Sequence, residues 1–312
     1  MLPLLLSGLG LSASPMTRAL PEGVCSSGGL VRYFAFGSNL LRSKMDQRGE
    51  TGVIACTAGV VPDHRLAFNM RMFPPLEPSM ASIEPSPGEV CEGALYTLTR
   101  DGYEALWQSE GGGMERPGYE EVGVPVSVDG TIVQAVTLRA APWMRLRRDA
   151  PPSARYKELI VQGAVELGLS DAYVSMLSAL PAASPSPALR ALATAHGVVA
   201  VLLLRLSAAL GAPWARRVLA PVRAACYALL RAQASSRAEA QRGAARSASA
   251  TLVGFTSEAA MAAILLPTAA LGASARLVLR ACGREGWARF GPPSARSRRR
   301  SIVAGIGGTA AG

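Results

Sequence analysis

Tyr33-Phe34-Ala35-Phe36-Gly37-Ser38-Asn39-Leu40 is the stretch on which the reading of this chain turns. Residues 31–36 are mostly β-branched or aromatic, as a largely buried strand requires. Gly37-Ser38-Asn39 then supplies residue types that tolerate unusual backbone angles and make local hydrogen bonds. A strand that stops in such a turn can present several backbone N–H groups to one ligand. Donors fixed in place before a charge arrives suit a carboxylate or a developing oxyanion. The same residues also describe a strand ending in an ordinary turn, and the octapeptide alone leaves both readings open.

Further along, Ser109-Glu110-Gly111-Gly112-Gly113 sets a carboxylate between a helix and a glycine run. The helix is expected over 99–109, with Thr99 placed to cap it and Leu106 and Trp107 turned inward. The glycines allow a sharp turn and let a ligand approach the backbone beside Glu110, the candidate acid/base group. Glu104, Glu115, Glu120 and Glu121 compete for that role, but they read as solvated carboxylates on helix faces or strand surfaces. Short strands are expected at 31–36, 52–61, 65–69, 81–84, 93–98, 119–128 and 131–138. Helices are expected at 41–48, 99–109, from Ser153 onward and at 171–180. Together these predict an α+β fold, a small mixed β-barrel or sheet flanked by helices. Tyr156 projects from the first turn of the helix begun at Ser153, where packing and substrate contact are both open.

The chain has 312 residues and a net charge of +10, unevenly spread: only Glu239, Glu258 and Glu285 are acidic after Asp171. Residues 182–188 read as a Pro/Ser linker, and 189–312 as an Ala/Arg-rich extension, helical or disordered. Its apolar stretches at 198–210 and 259–275 each fall short of about twenty strongly apolar residues, so soluble or membrane-surface helices are expected there. Residues 1–30 read as a leader, disordered or targeting, which makes the expected location cytoplasmic, with an organelle reached by a transit peptide as the alternative. Cys25, Cys56, Cys91, Cys226 and Cys282 are odd in number and widely spaced, which argues against a disulfide framework or zinc site. With His64 and His196 the only histidines, chemistry falls to carboxylates and backbone.

The octapeptide resembles the strand-turn signature of the γ-glutamylcyclotransferase family. Further matches follow in the family's order: Met80 through Gly88, Gly93-Ala94-Leu95-Tyr96, Ser109-Glu110-Gly111, Gly118-Tyr119, and Ala150 through Ile160 leading into Gln162-Gly163-Ala164. The resemblance covers about residues 32–181, the expected catalytic domain being 31–181, and departs at Phe36, where the family usually has Tyr. It implies cyclisation of a γ-glutamyl amino acid to 5-oxoproline without cofactor or metal. The α-amino group attacks the γ-carbonyl, and Glu110 serves as base and then acid; a pocket disfavouring its ionised form would raise its pKa toward the working range. It also implies that Tyr33, Phe34, Ala35, Phe36, Gly37 and Ser38 hold the glutamyl end, with Tyr156 close to the ligand. A γ-glutamylamine cyclotransferase and a non-catalytic binding module tethered by the basic extension are the alternatives. The partners expected are a small γ-glutamyl substrate, a second copy of the chain in a homodimer, and weak contact of the Arg-rich extension with an anionic surface.

Overall fold

The computed structural model describes residues 19–25, 28–209, 211, 214–241, 256–267 and 269–270. Five strands, β1 (Val31–Ala35), β2 (Val53–Phe73), β3 (Glu77–Leu98), β4 (Tyr119–Val128) and β5 (Thr131–Ala140), close into a barrel in the order β1-β3-β2-β4-β5. β1 runs antiparallel to β3, pairing Val31 with Leu98 and Ala35 with Ala94, and parallel to β5 through Tyr33 and Val136. β1 therefore has a paired strand on both edges, and every residue of it but Arg32 is buried. Phe34, Ala94, Tyr96, Val126 and Val136 are fully buried there.

β2 and β3 are each one long strand, where the sequence suggested two short ones separated by turns. The Pro62-Asp63-His64 break is a bulge: the register shifts between Pro62 and His64, and Asp63 takes a positive φ of 54°. Its Oδ1 accepts the Gly88 amide across the pair at 2.8 Å, which ties the irregular parts of both strands together.

Among the described residues, helices α1 (Arg42–Asp46), α2 (Arg100–Ser109), α3 (Ala154–Leu167), α4 (Asp171–Ala179), α5 (Pro187–Ala209) and α6 (Trp214–Gln241) follow or interrupt the barrel. A short helix, α7 (Thr256–Pro267), lies beyond them. Thr99 caps α2 by accepting the Gly102 amide at 3.1 Å, and Ser153 caps α3 by accepting that of Tyr156 at 3.0 Å. A 3₁₀ turn, Ser38–Leu40, leaves the end of β1 and is crossed closely by α3. A Cβ on Gly163 would lie 2.7 Å from the Leu40 carbonyl carbon, so only glycine lets the helix sit this near.

The segment read as a linker is bound to the barrel side of the molecule. Ala183 donates to the Pro152 carbonyl at 2.8 Å and accepts the Ala154 amide at 3.0 Å. Beyond it, Ala183, Leu189, Ala193, Cys226, Leu230, Met261 and Leu265 form a second small core, against which Leu76 of the β2–β3 turn packs. The Tyr227 hydroxyl of α6 accepts the Met72 amide at 3.0 Å and donates to the Pro78 carbonyl at 2.7 Å. The described part of the extension is thus helical. Residues 271–312, with the Arg296–Arg300 tract, lie outside the described residues, as do 1–18 of the leader. Val24 of that leader is fully buried, and Arg32 donates to its carbonyl at 3.0 Å, so packing begins before residue 31.

The helix carrying the first apolar stretch starts at Pro187, not near Val198. Its segment Pro187–Ser207, with mean hydropathy 1.7, is by length and composition long and apolar enough to cross a membrane, which corrects the shorter span read from sequence.

Candidate active site

Glu110 follows the last turn of α2, its amide held by the Leu106 carbonyl at 3.1 Å, so the carboxylate is carried on a rigid helix end. The side chain is 15% exposed. Arg48 Nη2 meets Oε1 at 2.9 Å, and Asn39 Nδ2 donates to the same oxygen at 3.1 Å. Arg48 Nε also donates to Asn39 Oδ1 at 3.0 Å, which closes a three-residue ring around the carboxylate. Both contacts fall on Oε1. Glu110 Oε1 thus faces a guanidinium and an amide.

Asn39 itself is buried and fully used. Its Nδ2 also donates to the Tyr33 hydroxyl at 3.2 Å, and its carbonyl accepts the Tyr96 hydroxyl at 2.9 Å. The turn after β1 thereby positions the carboxylate through a side chain.

Two further phenols meet at Ala81 of β3. The Tyr156 oxygen accepts the Ala81 amide at 3.2 Å and is also faced by the Ser38 amide, while the Tyr119 hydroxyl donates to the Ala81 carbonyl at 3.1 Å. With two N–H groups directed at its oxygen, Tyr156 has its own proton left to donate. Burial, with Glu110 adding to it, raises the Tyr156 hydroxyl to about 12 and raises those of Tyr33 and Tyr119 as well, so all three are protonated near neutral pH. Gly37 lies against this group: a Cβ there would sit 3.0 Å from the Tyr156 oxygen.

The structure therefore brings Tyr33, Gly37, Ser38, Tyr156 and Glu110 to one place. Phe34, Ala35 and Phe36 are buried, and their side chains pack in the core; the Phe34 and Phe36 rings lie 6.4 Å apart. Asn39, Arg48 and Tyr119 join the site. Asn39 and Tyr119 stand in the matched motifs, whereas Arg48 carries no local signal. The glycine run also differs from its expected use. A Cβ on Gly112 would strike the Trp107 indole, so that glycine makes room for packing and not for a ligand. Of the competing acids, Glu120 pairs with Arg139 at 2.8 Å, Glu121 accepts the Tyr103 hydroxyl at 2.7 Å, and Glu104 accepts from Gln108 on the helix surface at 2.8 Å. Glu115 is exposed. Among the described residues no group of three or more His, Cys, Asp or Glu is placed to hold a metal.

Residues 90–177, which include α2 and Glu110, match the AIG2-like family. The chain is 34% identical over 189 residues to the γ-glutamyl cyclotransferase gliK of Aspergillus fumigatus, spanning 52% of this chain and 67% of that one. It is 31% identical over 152 residues to mouse γ-glutamylcyclotransferase, spanning 47% of this chain and 77% of the relative. A solved γ-glutamyl cyclotransferase structure superposes with a TM-score of 0.42 at 25% identity, over 48% of this chain and 88% of that one. The chain belongs to the γ-glutamylcyclotransferase family.

Proposed function

We propose that the protein cyclises γ-glutamyl amino acids, releasing 5-oxoproline and the free amino acid, with Glu110 moving the proton. The observation that carries this reading is the Glu110 carboxylate, anchored through Oε1 by Arg48 and Asn39 beside the Gly37-Ser38 turn and three phenols. As the substrate's α-amino nitrogen bonds to its γ-carbonyl carbon, Oε2 takes a proton from that nitrogen. It returns the proton to the amide nitrogen as the carbon–nitrogen bond breaks and the amine leaves. The reaction needs no electron acceptor, and its principal demand is a folded substrate held for ring closure. Charge that develops on the γ-carbonyl oxygen finds O–H donors already fixed in Tyr156 and Tyr33.

The test is 5-oxoproline release from γ-glutamyl-alanine by the purified chain and by Glu110→Gln, which keeps shape and removes the ionisable oxygen. Turnover by the parent, with a loss on the order of a hundredfold or more in the variant and an unchanged melting temperature, is the expected result. Near-normal turnover by Glu110→Gln would move the proton to another group. Turnover of γ-glutamyl-lysine alone would mark an amine-directed cyclotransferase, and none with either substrate a binding module.

A further inference from the structure

The first half of α5 is packed, with Leu189 and Ala193 facing Cys226, Leu230, Met261 and Leu265. The second half buries Val199, Ala200 and Ser207 but leaves its other side open. Val198, Leu202 and Leu206 are 49%, 55% and 51% exposed, and their spacing of four residues puts them on one helix face. The exposed Val218 belongs to the first turns of α6, which meet the end of α5 where the Ser207 hydroxyl accepts the Ala215 amide at 3.4 Å. Isolated exposed aliphatics are ordinary, but a row of them at the tip of a helical hairpin is a contact surface.

Its charge is one-signed. Residues 172–238 contain no Asp or Glu, while Arg190, Arg205, Arg216, Arg217, Arg223, Arg231 and Arg237 all fall within them. Arg205 lies between Leu202 and Leu206, and Arg216 and Arg217 are exposed immediately before Val218. Trp214, at the start of α6, is half-buried.

We propose that the tip of the α5–α6 hairpin docks on an anionic lipid surface, Val198, Leu202, Leu206 and Val218 entering the headgroup boundary and Arg205, Arg216 and Arg217 meeting lipid phosphates or carboxylates. Aliphatic side chains interleaved with arginines and a Trp beside them fit the interface of a bilayer. Nucleic acid binding would instead use aromatic platforms between the basic groups. Docking and not crossing follows from Leu189 and Ala193, which are engaged in the second core, and from Arg205 within the apolar segment.

The experiment uses the full chain with sedimented vesicles of phosphatidylcholine alone or with about 30% phosphatidylserine, a mixture that supplies the anionic surface. At least about tenfold more protein should sediment with the anionic vesicles, and a fraction should persist at about 0.5 M salt, where the electrostatic part is screened. The double variant Leu202→Asp/Leu206→Asp leaves Arg296–Arg300 intact and should lose the salt-resistant fraction. Arg216→Gln/Arg217→Gln should weaken binding to anionic vesicles and flatten its salt dependence. Both variants alter exposed residues remote from Glu110 in sequence, and 5-oxoproline release reports that each is folded. Equal sedimentation with neutral vesicles overturns the proposal, as does unchanged salt-resistant binding by the aspartate variant. Displacement from the vesicles by RNA at low salt would assign the surface to nucleic acid, and retention through an alkaline carbonate wash would show a spanning helix.

Discussion

Asn39 and Arg48 hold Oε1 of Glu110, which in the proposed reading leaves Oε2 to move the proton. In Arg48→Met, Asn39 Oδ1 loses its donor in a buried setting, at a cost of about 1–3 kcal/mol, and the carboxylate is free to rotate. Arg48 touches the proton-moving group and is not placed against the substrate in the proposed reading. The expected result is therefore a fall in kcat on the order of ten- to a hundredfold with KM within about threefold. Arg48→Lys keeps the charge but not the forked geometry and should recover only part of the rate. Steady-state kinetics on γ-glutamyl-alanine separate the two, and full activity in Arg48→Met would show that the carboxylate needs no holder.

At the scale of elements, the site exists because α3 lies directly on the 3₁₀ turn that follows β1. Ser153 fixes where α3 starts, which fixes Tyr156 in its first turn, and Gly163 two turns later permits the close crossing. Adding one methyl group in Gly163→Ala forces the helix away from Leu40 and Leu41, an overpacking that costs typically about 1–3 kcal/mol. Urea denaturation should show that loss. Because Tyr156 moves with the helix, kcat/KM should fall by more than the folded fraction alone accounts for. Unchanged stability and activity would mean that the crossing is loose.

For the whole molecule, the site and the extension are separable in chemistry but not in packing. Glu110, Arg48, Asn39 and Tyr156 all precede Ala183, whereas Tyr227 and the second core cover the β2–β3 turn. A chain cut after Ala183 should retain kcat within about threefold yet unfold at lower urea, having lost buried apolar area and the Tyr227 hydrogen bonds. Loss of kcat from a cut chain that remains folded would place the extension in the site. Six of the seven tyrosines give a global readout. Burial raises Tyr156 and Tyr227 to about 12 and raises Tyr33, Tyr96, Tyr119 and Tyr173 as well, against about 10 for tyrosine in an unfolded chain. Above about pH 10 the unfolded chain therefore binds fewer protons than the folded one. The stability held by these groups is full below that pH and is lost as pH rises toward the folded values. Tyrosinate absorbance should appear together with the loss of near-ultraviolet circular dichroism, and titration near pH 10 with the fold intact would show that the phenols are open to solvent.

The caps at Thr99 and Ser153, the inward Leu106 and Trp107, the strand-turn at Gly37 and the place of Glu110 after α2 are all written in the sequence. Each depends on residues within one turn or one strand, where the chain's own period decides. The continuity of β2 and β3 was hidden because Pro62-Asp63-His64 reads locally as a turn, and only the facing strand, through Gly88, makes it a bulge. The glycine run looked like room for a ligand because the Trp107 ring that fills it has no visible direction in a sequence. Arg48 was silent for the same reason. Its meeting with Asn39 and Glu110 joins residues as much as 71 positions apart, brought within reach by the pairing of β1 with β3. Local chemistry thus determined which residues could act, and tertiary packing decided that Glu110 is held through Oε1 by Asn39 and Arg48.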